Sequence, residues 1–185
     1  MEQKTKIHAE DGKQELTITR SFDLPVDLLF IAYTDPEIVE QWMGTKVIKL
    51  ENKNHGGYQF ETTDPMGNKH LFSGCIHEII ENNSIIRTFE MNNTPFPVQL
   101  EYLQFEAVTD NTSLLTMHVI YKSVAIRDQI LKLPFAQGIN MAHNRIQEIQ
   151  SKSNYMEKRN KIIYWIFTIW FSFGMTFNAV SQLLK

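Results

Sequence analysis

Between residues 45 and 122 the chain holds six apolar-rich runs, each about the length of one strand and most separated by turn-forming residues. This succession constrains the fold more than any other feature. TKVIKLEN, GYQFETT, HLFSGCIHEII, SIIRTFEM, VQLEYLQFEAV and SLLTMHVIYK are rich in the β-branched and aromatic residues that suit a pleated surface. Between them stand His55-Gly56-Gly57, Asp64-Pro65-Met66-Gly67-Asn68, Glu81-Asn82-Asn83 and Thr109-Asp110-Asn111, all of them turn chemistry. Strands joined in sequence by such short turns run antiparallel, so the pattern predicts a meander.

The flanks of this region read differently. QELTITRSFD alternates, with Leu16, Ile18 and Arg20 on one face and Thr17 and Thr19 on the other, as a half-buried strand does. Pro25 then opens a helical pattern that runs to Asp35-Pro36, where Asp35 can cap a second short helix, PEIVEQWM. After the meander the period changes. Phe135, Ile139, Ala142, Ile146 and Ile149 mark one side of a helix, with Gln137, Asn140, Asn144, Gln147 and Glu148 mostly on the other. Pro134 either starts this helix or kinks it from a shorter one before it. The prediction is an α+β domain over residues 14–150, a curved antiparallel sheet around a long C-terminal helix, preceded by a tail at 1–13.

Charge separates this domain from the C-terminal segment. Residues 1–151 carry 13 Lys/Arg and 20 Asp/Glu, a net of -7, whereas 152–185 carry five basic residues against Glu157, a net of +4, which together give the chain's -3. The acidic piece lacks the basic excess needed to neutralise phosphates, which argues against nucleic acid as a partner. From Ile162 to Leu184 there are 23 residues without a charge, 16 of them apolar or aromatic. As a helix this run extends roughly 34 Å, against about 30 Å for a hydrocarbon core. Lys158, Arg159 and Lys161 in the linker at 151–161 precede it, and Tyr164 and Trp165 fall where an interfacial belt would lie. The expectation is a transmembrane helix at 162–184 that leaves the domain on the cytoplasmic side. The charged N-terminus has no apolar stretch for a signal peptide. Within the run, Thr168, Ser172 and Thr176 share one face, as packing between membrane helices uses.

Phe22-Asp23-Leu24-Pro25, Leu29-Phe30, Ala32-Tyr33-Thr34-Asp35-Pro36-Glu37 and Gln41-Trp42, together with Gly56-Gly57-Tyr58, Asp64-Pro65-Met66-Gly67, Phe72-Ser73-Gly74 and Glu78-Ile79, stand in an order that resembles one known family. It is the family of SRPBCC domains related to the activator of the heat-shock protein 90 ATPase. The resemblance covers about residues 14–150 and implies the helix-grip fold of the START-like superfamily, in which sheet and helix enclose a hydrophobic cavity. Two positions depart from the family pattern: Met43 stands after Trp42 where many relatives have a second Trp, and Pro134-Phe135 interrupts the helix start. Residues 156–185, with Lys158-Arg159, Tyr164-Trp165, Gly174-Met175 and Val180-Ser181-Gln182-Leu183, resemble the first membrane helix of a DoxX-like protein. That second resemblance suggests a fusion or read-through of two neighbouring reading frames.

No spacing in the chain demands catalysis. The six histidines show no metal-ligand spacing with each other or with Cys75, and no G-x-S-x-G, P-loop or dinucleotide fingerprint is present, so neither a metal nor another cofactor is expected. Cys75, the single cysteine, reads as a small buried apolar residue. The candidate site is the cavity that the resemblance implies, walled by Trp42, Phe60, Phe72, Phe89, Tyr102, His118, Phe135 and Met141. Each of these also has an ordinary reading as core packing, since aromatics fill interiors by default, and His118, like Arg20 and Glu106, reads either as a polar handle inside the pocket or as an outward residue of an edge strand.

Three functions compete. The first is a non-catalytic module binding a small hydrophobic ligand or docking a protein. The second, implied by the resemblance, is stimulation of a heat-shock protein 90 ATPase as a chaperone partner. The third is a cyclase or dehydratase with His118, assisted by Tyr102, as general acid or base.

Overall fold

The computed structural model describes residues 4–63 and 66–152. The chain divides after Gln150, and the described residues of the unit Met1–Gln150 carry eight strands and three short helices. They are β1 (Lys6–His8), β2 (Glu15–Phe22), α1 (Val26–Thr34), α2 (Pro36–Met43), β3 (Lys46–Leu50), β4 (Gly56–Thr63), β5 (Lys69–Ile80), β6 (Ser84–Met91), β7 (Gln99–Thr109), β8 (Thr112–Ile120) and α3 (Val124–Lys132). A further helix, α4, occupies residues 135–152.

All strands join one antiparallel sheet in the order β1-β2-β8-β7-β6-β5-β4-β3. The meander from β3 to β8 is continuous, each strand pairing with its neighbour in sequence. β2 then closes on the far side against β8. This is the helix-grip arrangement, with α4 packed against the inner face of the sheet through Phe135, Ile139, Ala142, Ile146 and Ile149. The segment expected as a tail contains β1, which pairs with β2 from Lys6↔Thr19 to His8↔Thr17. Three residues are too short a run to show alternation, so the sequence carried no periodic signal for this strand.

Local chemistry explains the element ends. The Asp35 carboxylate accepts hydrogen bonds from the backbone N–H of Glu37 at 2.9 Å and Ile38 at 3.1 Å, capping α2. Gly44 ends that helix in the left-handed region at φ 66°, where a side chain would be strained. Ser123 accepts from Ile126 N–H to start α3. Leu133 is extended, as expected for a residue before proline, and Pro134 therefore separates α3 from α4 rather than kinking a single helix.

The strands alternate cleanly where one face is buried. On β8, Ser113, Leu115, Met117 and Val119 point inward and the intervening residues outward. On β2, Leu16, Ile18, Arg20 and Phe22 point inward. β5 breaks its register in a bulge between Ile76 and Glu78, and His77 and Glu78 are both exposed. Cys75, on the same strand, is half-buried rather than enclosed in the core. Among the described residues no helix is long and apolar enough to cross a membrane. The expected transmembrane run at 162–184 and the DoxX-like resemblance at 156–185 lie outside the described residues.

Candidate functional site

A cavity of about 470 Å³ lies between the inner face of the sheet and the helices. β2 contributes Ile18, β5 Phe72, β6 Arg87 and Phe89, β7 Gln99 and Glu101, and β8 Met117 and Val119. Tyr121 stands just past β8, while Tyr33, Trp42 and Met43 come from α1 and α2 and Phe135, Gly138, Ile139 and Ala142 from α4. Most of this wall is apolar. The Phe72 and Phe89 rings lie 5.6 Å apart on adjacent strands, and Trp42 is fixed by its Nε1–H, which donates to the Ala32 carbonyl at 2.6 Å.

One patch of the wall is charged. Arg87 and Glu101 face each other across β6 and β7, with Arg87 Nε donating to Glu101 Oε2 at 2.8 Å. Their side chains are 15% and 6% exposed, so the pair is desolvated. The other carboxylate oxygen, Glu101 Oε1, accepts from Gln99 Nε2 at 2.7 Å. Burial opposes the charge on Arg87, but Glu101, together with Tyr58 and Tyr33, outweighs it and holds the guanidinium protonated well above its ordinary range. Burial raises Tyr121 above the ordinary phenol value, and the Glu101 carboxylate raises it further, so its hydroxyl keeps its proton.

A second polar cluster fixes α4 to the sheet. Arg20, inward on β2, donates to Thr5 Oγ1 at 3.4 Å, Asn140 Oδ1 at 3.3 Å and Asn144 Oδ1 at 2.8 Å. His143 is fully buried, with Nδ1 3.0 Å from Thr5 Oγ1 and Nε2 3.4 Å from the Tyr33 hydroxyl. Burial, and then the Arg20 charge, lower the His143 pKa to about 3. The imidazole is therefore neutral at physiological pH. Asn140, expected on the solvent side of the helix, is buried in this cluster.

The eight expected wall residues separate into three groups. Trp42, Phe72, Phe89 and Phe135 come together in the cavity. Phe60 is buried but packs on Tyr58, with ring centroids 5.1 Å apart, and belongs to the core beside the cavity. Tyr102, His118 and Met141 face outward, and this corrects the expectation. On β7 the inward residues are Glu101, Leu103 and Phe105, so Tyr102 takes the opposite face. There it stacks on its cross-strand partner His118 at 5.9 Å, and His118 Nε2 meets Glu15 Oε2 at 3.0 Å. Met141 is 42% exposed on the outer side of α4. A general acid or base at His118 would have no access to the cavity.

Sequence reasoning missed Arg87, Gln99, Glu101 and Tyr121. The signal available was parity: Arg87 lies two residues from both Ile85 and Phe89, and Glu101 two residues before Leu103, so each shares its strand's apolar face.

A sheet gripping a helix over a mostly apolar cavity is the architecture of a START-like domain. The chain belongs to the family described as "Activator of Hsp90 ATPase homolog 1-like protein", whose model matches residues 23–150. Among solved structures, protein Ms6760 from Mycobacterium smegmatis is similar at 24% identity and a TM-score of 0.71, covering 78% of this chain and 95% of that one. A protein from Arthrobacter aurescens is similar at 15% identity and a TM-score of 0.73, covering 80% and 91%. Protein NE0264 from Nitrosomonas europaea is similar at 19% identity and a TM-score of 0.68, covering 79% and 99%. At these identities the likeness concerns the fold. No functionally curated protein matches the sequence.

Proposed function

We propose that this chain is a non-catalytic binding module that holds a small hydrophobic molecule between sheet and helix. The observation that carries the reading is the cavity of about 470 Å³, within the size range of small-molecule sites and lined by Trp42, Met43, Phe72, Phe89, Phe135 and Ile139. Apolar walls with few polar groups suit a ligand that leaves water readily. Among the described residues no cluster of His, Cys, Asp and Glu is disposed to hold a metal ion. Native mass spectrometry of the full chain, joined to thermal shift against a panel of lipids and small aromatic molecules, tests the proposal. A co-purifying apolar mass or stabilisation by panel members is expected. A chain that carries no ligand and responds to none would defeat it.

The family description favours a second reading, stimulation of an Hsp90 ATPase. An ATPase rate of the matching chaperone that stays unchanged at saturating domain would remove it. We also propose that the uncharged run 162–184, with its basic flank, tethers the module to the cytoplasmic face of a membrane. Fractionation of the full chain beside a chain ending at Gln150 tests this, with the first expected in the membrane fraction and the second not.

A further inference from the structure

We infer that the cavity selects an uncharged apolar molecule bearing one carbonyl oxygen, which docks on the donors of Arg87 or of Tyr121; this rests on the binding reading above. Donors without a protein acceptor stand on the cavity wall. Glu101 already accepts from Arg87 Nε and Gln99 Nε2, one bond to each oxygen. Arg87 makes no hydrogen bond through Nη1 or Nη2 among the described residues, although it lines the cavity and is 15% exposed. The Tyr121 hydroxyl likewise makes none, although Tyr121 is only 2% exposed and lines the same cavity. Both residues line the cavity, so a ligand that displaces water from these donors must supply a group that accepts in its place or leave them unpaired at a cost. That group is an oxygen acceptor.

Charge decides which kind of oxygen. The Arg87–Glu101 pair is neutral as a unit, so a carboxylate ligand would bring a net negative charge into a desolvated site beside the Glu101 carboxylate. The same carboxylate already raises the pKa of Tyr121, which marks the potential at that spot as unfavourable to a further anion. A neutral carbonyl accepts from Nη or from the phenol without this cost. The rest of the molecule then lies against Phe72, Phe89, Phe135 and Ile139.

Three probes with one skeleton separate the possibilities: 4,4′-difluorobenzophenone, bis(4-fluorophenyl)methane and bis(4-fluorophenyl)acetate. Binding to the full chain is read by fluorine NMR, with Ala142→Phe as the variant that fills the cavity and Gly138→Phe in its place if the first does not fold. The ketone is expected to bind about tenfold more tightly than the methane, the scale of a hydrogen bond from a charged donor. That preference should shrink several-fold in Tyr121→Phe or in R87M/E101Q, and both probes should be lost from the filled cavity. Equal affinity of ketone and methane, both lost on filling, would overturn the carbonyl assignment and leave the binding reading standing. Tighter binding of the acetate would overturn the neutral-ligand choice. A preference for the ketone that persists unchanged in both Tyr121→Phe and the double variant R87M/E101Q would overturn the docking residues. Absence of any binding sensitive to filling the cavity would bring down the binding reading as well.

Discussion

His143 makes the stability of this domain depend on pH in a defined window. Its folded pKa is lowered to about 3 by burial and then by Arg20, against about 6.5 for an unperturbed imidazole. Below about pH 6.5 the unfolded chain therefore binds a proton that the folded chain refuses, and stability falls with pH until the folded value is reached. Between pH 7 and pH 5 this one group should remove about 2 kcal/mol. The window lies above the range in which Glu51 protonates, because hydrogen bonds from Lys49 and Gly57 lower that carboxyl to about 2. His8, His55, His70, His77 and His118 are exposed or half-exposed, and they are common to the wild type and the variant compared. Urea denaturation of the full chain and of His143→Asn, each at pH 7 and pH 5, isolates the His143 contribution as a difference of differences. The wild type should lose about 2 kcal/mol more than the variant over the two pH units. Equal losses, or an NMR titration placing His143 near its ordinary value in the folded protein, would refute the burial argument.

Other perturbations address the cavity wall and the sheet. Arg87→Met leaves Glu101 buried without its partner and should cost about 3–5 kcal/mol in urea denaturation, whereas R87M/E101Q should recover most of that, giving a large coupling in a double-mutant cycle. Gly74→Ala should destabilise by about 3 kcal/mol. A Cβ there would collide with the Thr88 carbonyl oxygen and lie 2.6 Å from the Tyr58 hydroxyl, which donates to that same carbonyl. Asp35→Ala removes the two acceptor bonds at the start of α2 and should lower stability by about 1 kcal/mol, read as a reduced denaturation midpoint.

The topology was legible because turn residues and strand-like runs succeed one another without interruption, and antiparallel neighbours need nothing more. Asp35 as a cap and the apolar stripe of α4 were equally plain, since each depends on residues close in sequence. Two features were not. β1 is three residues long and owes its place to pairing with β2, a contact that no local pattern announces. Asn140 looks polar on a helical wheel, yet it is buried because Arg20, far away in sequence, reaches it as a donor. Such burial becomes visible only when both ends of the contact are in place.

The cavity was harder to read because aromatic character alone does not say which face of a strand a residue takes. Tyr102 has the ring of a wall residue, although Leu103 and Phe105 fix the inner parity of β7 and turn Tyr102 outward. The same parity brings Gln99 and Glu101 inward, where polarity alone would never have put them. A carboxylate can occupy that face because Arg87 is its registered partner on β6, and neither residue would be tolerable there alone. Register therefore does more than set strand order: it decides which charges the interior can hold. The Arg87 donors on the cavity wall result from that placement.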